Sequence, residues 1–425
     1  MRIRLGCIAD DFTGATDLAN NLVRSGMRVV QTIGIPSKPV KAEVDAVVVA
    51  LKSRTIALEQ ALEQSLQALH WLKAQGAEQI YFKYCSTFDS TAKGNIGPVT
   101  EALMDALETD FTIATPAFPD NHRTVFKGHL FVGDALLSES GMQNHPLTPM
   151  VDANLVRVMQ AQTRRKVGLV DYAVVAAGEL AIQQRMTKLE ADGIGVAIID
   201  ALTNADLMHL GRALKGMALV TAGSGAAIGL PQNFGIQPSA ASSALPPAGG
   251  FCAIVSGSCS LATNAQVAHF IQNGGQALAL NPLQIAADAA SGTNLAATAL
   301  NWAEPLLKSG PVLVYSTATS EAVKAVQQQI GAAAAGALME QALSQVACGL
   351  VDLGARQLVV AGGETSGACV QALGIAQMQI GPQIDPGVPW CFAECGASPD
   401  GLHLALKSGN FGTPDFFTKA FQQLR

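Results

Sequence analysis

Two adjacent acids stand in the segment Ile8-Ala9-Asp10-Asp11-Phe12-Thr13-Gly14-Ala15-Thr16-Asp17, directly after an apolar run and directly before a helical pattern. One Asp at such a place caps the helix, because its side chain accepts a backbone N–H and its charge suits the positive end of the helix dipole. The second repels the first unless a cation, a substrate hydroxyl or a proton compensates, so the pair points to a general base or a metal ligand, with a purely structural role weighed evenly against it. Two further segments carry the cations. Leu51-Lys52-Ser53-Arg54 ends an apolar run in positive charge, and Lys83-Tyr84-Cys85-Ser86 opens a stretch to Asn95 that is dense in hydroxyls and includes Asp89 and Lys93. Arg54 and Lys83 at the ends of two strands could converge on one carboxylate-bearing ligand.

A different chemistry marks the second half. Ser256-Gly257-Ser258-Cys259-Ser260 and Ala361-Gly362-Gly363-Glu364-Thr365-Ser366-Gly367 each follow an apolar run and precede a helical pattern, which offers unhindered backbone N–H groups to an anion. A third glycine-bearing loop, Lys407-Ser408-Gly409-Asn410-Phe411-Gly412 near the C-terminus, could close over the same ligand. Glycine loops repeated in one domain favour phosphate. Neither G-x-x-x-x-G-K-[ST] nor a full G-x-G-x-x-G occurs, so a nucleotide site here belongs to a less common type, and a nicotinamide-dependent oxidoreductase lacks its fingerprint. No G-x-S-x-G elbow supports hydrolase chemistry.

The elements that must position these residues follow from the apolar pattern. Val- and Ile-rich runs alternate with segments of helical period, as expected of strands buried on both faces between helices. Strands are expected at 3–9, 46–51, 79–83, 112–115, 168–170, 196–199 and 218–221, and again at 251–255, 312–315 and 357–361. Apolar residues at 15, 18, 19, 22 and 23, with Gly26 beyond them, predict a helix after the acidic pair. Helices are also expected near 99–107, from Thr263, and over 339–353. In parallel α/β sheets ligands bind beyond the carboxyl ends of strands, where the loops after the strands at 3–9, 46–51, 79–83, 251–255 and 357–361 fall. His70, His209 and His269 lie in helical pattern; His122, His129 and His145 fall in a loop-rich stretch, 116–149, that could rim the substrate site.

The fold class is therefore α/β in two domains, each a largely parallel sheet flanked by helices, with an active-site cleft expected between them. The segment 231–250, with four prolines and no charge, holds the boundary, and the division is residues 1–235, a linker at 236–250, and residues 251–425. The chain has 425 residues, 49% hydrophobic and 14% charged, with a net charge of -6 and no basic block, which argues against nucleic acid or an anionic membrane as partner. Between Lys215 and Asp288 no charged residue occurs, but Gly and Pro interrupt the stretch too often for a membrane span. The start lacks a secretory h-region, and the eight cysteines show neither C-x-x-C pairs nor zinc spacing, so they read as thiols of a cytoplasmic protein.

Taken together, the motifs IADDFTGATD, LKSR, FKYCSTFDST, KGNIGPVTEAL, VSGSCS, AGGETSG and ALKSGNFG occur in an order that resembles the four-carbon acid sugar kinase family, most closely its 3-oxo-tetronate branch, over essentially the whole chain. The resemblance implies an ATP-dependent kinase acting on the 4-hydroxyl of a 3-oxo-tetronate, with sister kinases for D-threonate or D-erythronate as the alternative and a non-catalytic sugar-acid sensor as a remoter one. It implies an N-terminal domain that binds the acid sugar and a C-terminal domain that binds the nucleotide. Carried over by motif, substrate contacts fall on Asp10, Arg54, Lys83, Tyr84, Cys85 and Ser86, and nucleotide contacts on Ser258, Gly362, Gly363, Glu364, Thr365 and Gly409. Asp10 and Asp11 are the catalytic pair, with Asp11 favoured as base because Asp10 is assigned to substrate. Mg2+ would bridge the phosphates, with Glu364 a candidate ligand, ribose contact or helix cap and no metal set otherwise assigned. A homo-oligomer stays open.

Overall fold

The computed structural model describes residues 3–36, 39–40, 43–144, 148–281, 283, 295–318, 325–329 and 331–424. The chain divides into two compact units, Met1–Ser243 and Ala244–Arg425. The division falls within the proline-rich 231–250 segment.

In the first unit the apolar runs become β1 (Leu5–Ala9), β2 (Val29–Ile33), β3 (Ala46–Ala50), β4 (Gln79–Lys83), β5 (Thr112–Thr115), β9 (Lys166–Val170), β10 (Ile194–Ile199) and β11 (Leu219–Ala222); β6 (Arg123–Phe126), β7 (His129–Val132) and β8 (Ala135–Leu136) form a separate antiparallel sheet. The main sheet runs β2-β3-β1-β4-β11-β5-β10-β9, with every pairing parallel. β1, β3 and β4 are buried along their whole length, which is why they read as unbroken apolar runs. Ile8, Val47, Val49 and Phe82 from these strands pack with Leu69, Leu72 and Leu103 of flanking helices in one core. The chain leaves β1 toward β2 on one side and returns across it to β4 on the other. That reversal makes the carboxyl end of β1 a topological switch point, where ligands of open α/β sheets bind.

The second unit has its own core, around Ile254, Leu313, Val359, Trp390 and Phe416. Its strands are β12 (Phe251–Ser256), β13 (Gln276–Ala279), β14 (Val312–Tyr315), β15 (Ala355–Ala361), β16 (Gln377–Asp385), β17 (Val388–Cys395) and β18 (Ser398–Lys407), ordered β13-β14-β12-β15-β18-β17-β16. It is parallel as far as β18 and antiparallel through β17 and β16. The α/β class with mostly parallel sheets is as the sequence predicts. β2, β6–β8, β13 and β16–β18 are not in the predicted set, and the stretch 116–149, expected as loops, holds the antiparallel sheet. Among the described residues no helix is long and apolar enough to cross a membrane.

Candidate active site

Three neighbouring strands bring the acidic pair and its cations together. Ala9, the last residue of β1, stands opposite Ala50 of β3 and Lys83 of β4. Backbone bonds continue the register past the strand ends: Asp10 N donates to Lys83 O at 3.1 Å and Ser53 N to Asp10 O at 3.0 Å. Arg54 forks Asp10, with Nε on Oδ2 and Nη2 on Oδ1 at 2.9 Å each; Nη2 also reaches Asp11 Oδ1 at 2.6 Å, and Lys83 Nζ meets that oxygen at 3.2 Å. The other Asp11 oxygen accepts from Gly14 N at 3.1 Å and Thr13 Oγ1 at 3.0 Å, so Asp11 also caps the helix Phe12–Arg24. Cap and charge network are the same residue. A Cβ on Gly14 would overlap Lys83 Nζ, so only glycine there leaves room for the ammonium.

Their partners, more than burial, separate the two carboxylates. Asp10 is 5% exposed and Lys83 3%. Desolvation pushes Asp10 above the ordinary carboxylate range in spite of Arg54. Asp11 is desolvated too, but Arg54, Lys83 and the Gly14 N–H together hold it well below that range. Asp11 is thus fixed as an anion, and Asp10 is the more basic of the pair.

The rest of the Lys83 loop divides by direction. Tyr84 turns into the core, its hydroxyl donating to Thr221 O at 3.1 Å and its ring edge-on to Phe82 and Phe88. Cys85 Sγ accepts the Asp89 N–H at 2.9 Å, and burial pushes its thiol up to about 12. Ser86 is half-buried. Asp10, Ser53, Arg54, Phe82, Asp89, Asn95, Ile96 and Val99 line one recess. Asn95, which in sequence only ends a polar run, clamps the Arg54 segment by donating to the carbonyls of Ser53, Arg54 and Ile56 at 3.0, 3.3 and 3.1 Å. His122 directly precedes β6 and His129 opens β7, whereas His145 lies outside the described residues. His70, His209 and His269 are on helices.

In the second unit the three glycine loops leave adjacent strands. Ser256, Ala361 and Lys407 stand side by side at the ends of β12, β15 and β18. Gly257 N and Ser258 N donate to Ala361 O at 2.9 and 3.2 Å, and Gly362 N donates to Lys407 O at 2.8 Å. The glycines are needed for this closeness: Gly362 has φ +128°, and a Cβ on Gly409 would lie 2.6 Å from Ser258 Oγ. Gly363, Glu364 and Thr365 form the first turn of the helix Gly363–Ala372, where backbone N–H groups lack intrahelical acceptors; Glu364 is exposed there. Lys407 is the member of this cluster to which the sequence assigned no role. It is 0% exposed, and its ammonium donates to Thr263 Oγ1 at 2.9 Å and to the Ser408 and Gly409 carbonyls at 3.0 Å, tying the third loop to the helix Leu261–Gln272. Burial pulls it down to about 7. Among the described residues no group of three or more His, Cys, Asp or Glu side chains is arranged to hold a metal.

Residues 5–230 match the family model described as a sugar-binding N-terminal domain, and residues 253–417 match the nucleotide-binding C-terminal domain. The chain belongs to the four-carbon acid sugar kinase family. It is 57% identical over 425 residues to the 3-oxo-tetronate kinase of Pseudomonas fluorescens (99% of this chain, 97% of the relative) and 56% identical over 427 residues to that of Cupriavidus necator (99% and 97%). A solved Haemophilus influenzae protein of the DUF1537 family is 46% identical with a TM-score of 0.82, covering 99% of this chain and 100% of its own. Membership makes this protein an ATP-dependent phosphotransferase with an alcohol acceptor, and it makes the glycine loops those of a nucleotide-binding domain.

Proposed function

We propose that this kinase transfers the γ-phosphoryl group of ATP to the 4-hydroxyl of a 3-oxo-tetronate, giving the 4-phosphate and ADP, in the cytoplasmic catabolism of four-carbon acid sugars. The observation that carries this reading is the buried Asp10–Arg54–Asp11–Lys83 network at the switch point of the half that matches a sugar-binding domain. The full-length likeness to kinases named for this substrate supports it. Phosphoryl transfer asks mainly for an oriented hydroxyl and for neutralised phosphate oxygens.

In this proposal Asp10 binds the attacking hydroxyl and takes its proton, because it is the more basic carboxylate. Asp11 holds Lys83 and Arg54 in place as a permanent anion. The Cys85–Ser86 loop bounds the sugar. Ser258, the Gly362–Thr365 turn and Gly409 hold the nucleotide through backbone N–H groups and hydroxyls. The donor set fits Mg2+ carried chiefly by phosphate oxygens, since that ion needs only one or two carboxylates and keeps several waters; Glu364, exposed in the first helical turn, would hold it. When bound, the ion neutralises phosphate charge.

A coupled ADP-release assay with 3-oxo-tetronate, D-threonate and D-erythronate tests this. Turnover of the oxo acid is expected, with kcat for Asp10→Asn lower by roughly 100-fold or more and KM for ATP unchanged. Turnover of D-threonate or D-erythronate instead would move the substrate within the family, and no ADP release with any acid would leave a sugar-acid sensor.

A further inference from the structure

The four charges at the switch point already match one another. Asp10 and Asp11 are two anions, Arg54 and Lys83 two cations, and each cation touches an acid at 3.2 Å or less. An acid sugar adds a negative charge to this buried ground, where an unmatched carboxylate is costly. A further cation nearby would offset that charge.

Arg123, the first residue of β6, has the right attributes. Its Nη1 donates to Asn121 O, but its Nε is buried with no hydrogen-bond partner, and no carboxylate forms an ion pair with it among the described residues. It lies in the electrostatic field of Cys85, Asp89 and Asp17. Cys85 and Asp89 belong to the loop after β4, and Asp89 lines the recess together with Asp10 and Arg54. Burial lowers the Arg123 pKa, as expected of a guanidinium whose local acids stop short of contact. Its backbone is fixed: Phe118 N donates to Arg123 O at 2.8 Å and Arg123 N to Phe118 O at 3.1 Å. A buried, directional donor left without an acceptor on a fixed strand is suited to receive one from a ligand.

We propose that Arg123 anchors the substrate carboxylate, its Nε–H donating to a carboxylate oxygen while Asp10 and Arg54 address the reacting end. This assignment rests on the acid-sugar reading above. Charge-assisted, directional pairing of this kind is what a guanidinium supplies to a carboxylate.

Steady-state kinetics of Arg123→Gln, with Arg123→Lys beside it, decide the matter. The Gln variant should raise KM for 3-oxo-tetronate by roughly 100-fold, with kcat within about threefold, KM for ATP unchanged and the melting temperature unchanged; Lys should recover part of the loss. An unchanged KM for the acid, or a parallel loss in kcat and in both KM values, would overturn the assignment. Should the Gln variant fail to fold, the Lys variant alone decides by the same split. Absence of oxo-acid turnover by the unaltered protein is a separate result, and it would overturn the substrate reading and this inference with it.

Discussion

Asp17 lies further along the helix that Asp11 caps, and it is 6% exposed. Ser224 Oγ donates to its Oδ2, while Oδ1 is buried without a hydrogen-bond partner. Desolvation raises its pKa from 3.8 to about 6. Between those two values the unfolded chain has lost a proton that the native chain still holds, so stability falls as pH rises from about 4 to about 6 and stays lower above that, by about 3 kcal/mol. Asp17→Asn keeps an acceptor for Ser224 and has no charge to desolvate. In urea titrations the variant and the unaltered protein should have equal midpoints near pH 4, and the variant should be the more stable near pH 7; a gap that stays constant across that range would show that Asp17 does not titrate this way. The sequence hid this residue in plain view. The helix shows one apolar stripe at 15, 18, 19, 22 and 23, which puts Asp17 off the core face, yet the chain also buries Asp17, Asn20 and Asn21. Ser224 and the Ser224 carbonyl, which accepts from Asn21 Nδ2 at 3.0 Å, come from more than two hundred residues away and leave no local trace.

At the scale of elements, the legible ones were those with a single physical cause. β1, β3 and β4 are covered on both faces, so each is a plain apolar run ending where the sheet ends, and the residues just beyond read as ligand-bearing. The antiparallel sheet β6–β8 was illegible because its strands are short and largely half-buried, and because a distant residue holds it. That residue is Asp200, buried just past β10, whose carboxylate accepts from Lys127 N at 2.7 Å, Gly128 N at 2.8 Å and Tyr172 N at 2.9 Å. Lys127 has φ +51°, a left-handed turn conformation uncommon for a side chain of this kind. Asp200 is thus the clasp of the β6–β7 turn. β16 and β17 escape the apolar pattern for another reason: each carries a proline, Pro382 and Pro389, which argues against an interior strand when read locally. Asp200→Ala orphans three backbone donors and should cost about 3 kcal/mol or more in urea unfolding. Because the same sheet carries Arg123, it should also raise KM for the acid while leaving KM for ATP alone. Retained stability and an unchanged acid KM would show that the sheet is held by other contacts.

At the scale of the whole molecule, each unit has its own core and its own set of loops at strand carboxyl ends. A bisubstrate kinase built this way should lose its two affinities separately. Lys407 is the sharpest probe of the nucleotide half, since three hydrogen bonds from one buried ammonium fix the Ser408–Gly409 loop against Thr263. Lys407→Met keeps the side-chain length and removes the donors, and it also removes a buried group that burial has pulled down to about 7, so its cost to folding is partly offset. The loop it holds includes Gly409, one of the proposed nucleotide contacts. By calorimetry the variant should bind a non-hydrolysable ATP analogue roughly tenfold or more weakly and bind the acid sugar as before, while Asp10→Asn should do the reverse. The double variant should then show both losses, added in free energy, because the two changes share no contact partner. A loss of acid affinity in Lys407→Met as large as its loss of nucleotide affinity would mean that the loop serves both ligands, and the assignment of one ligand to each unit would fall.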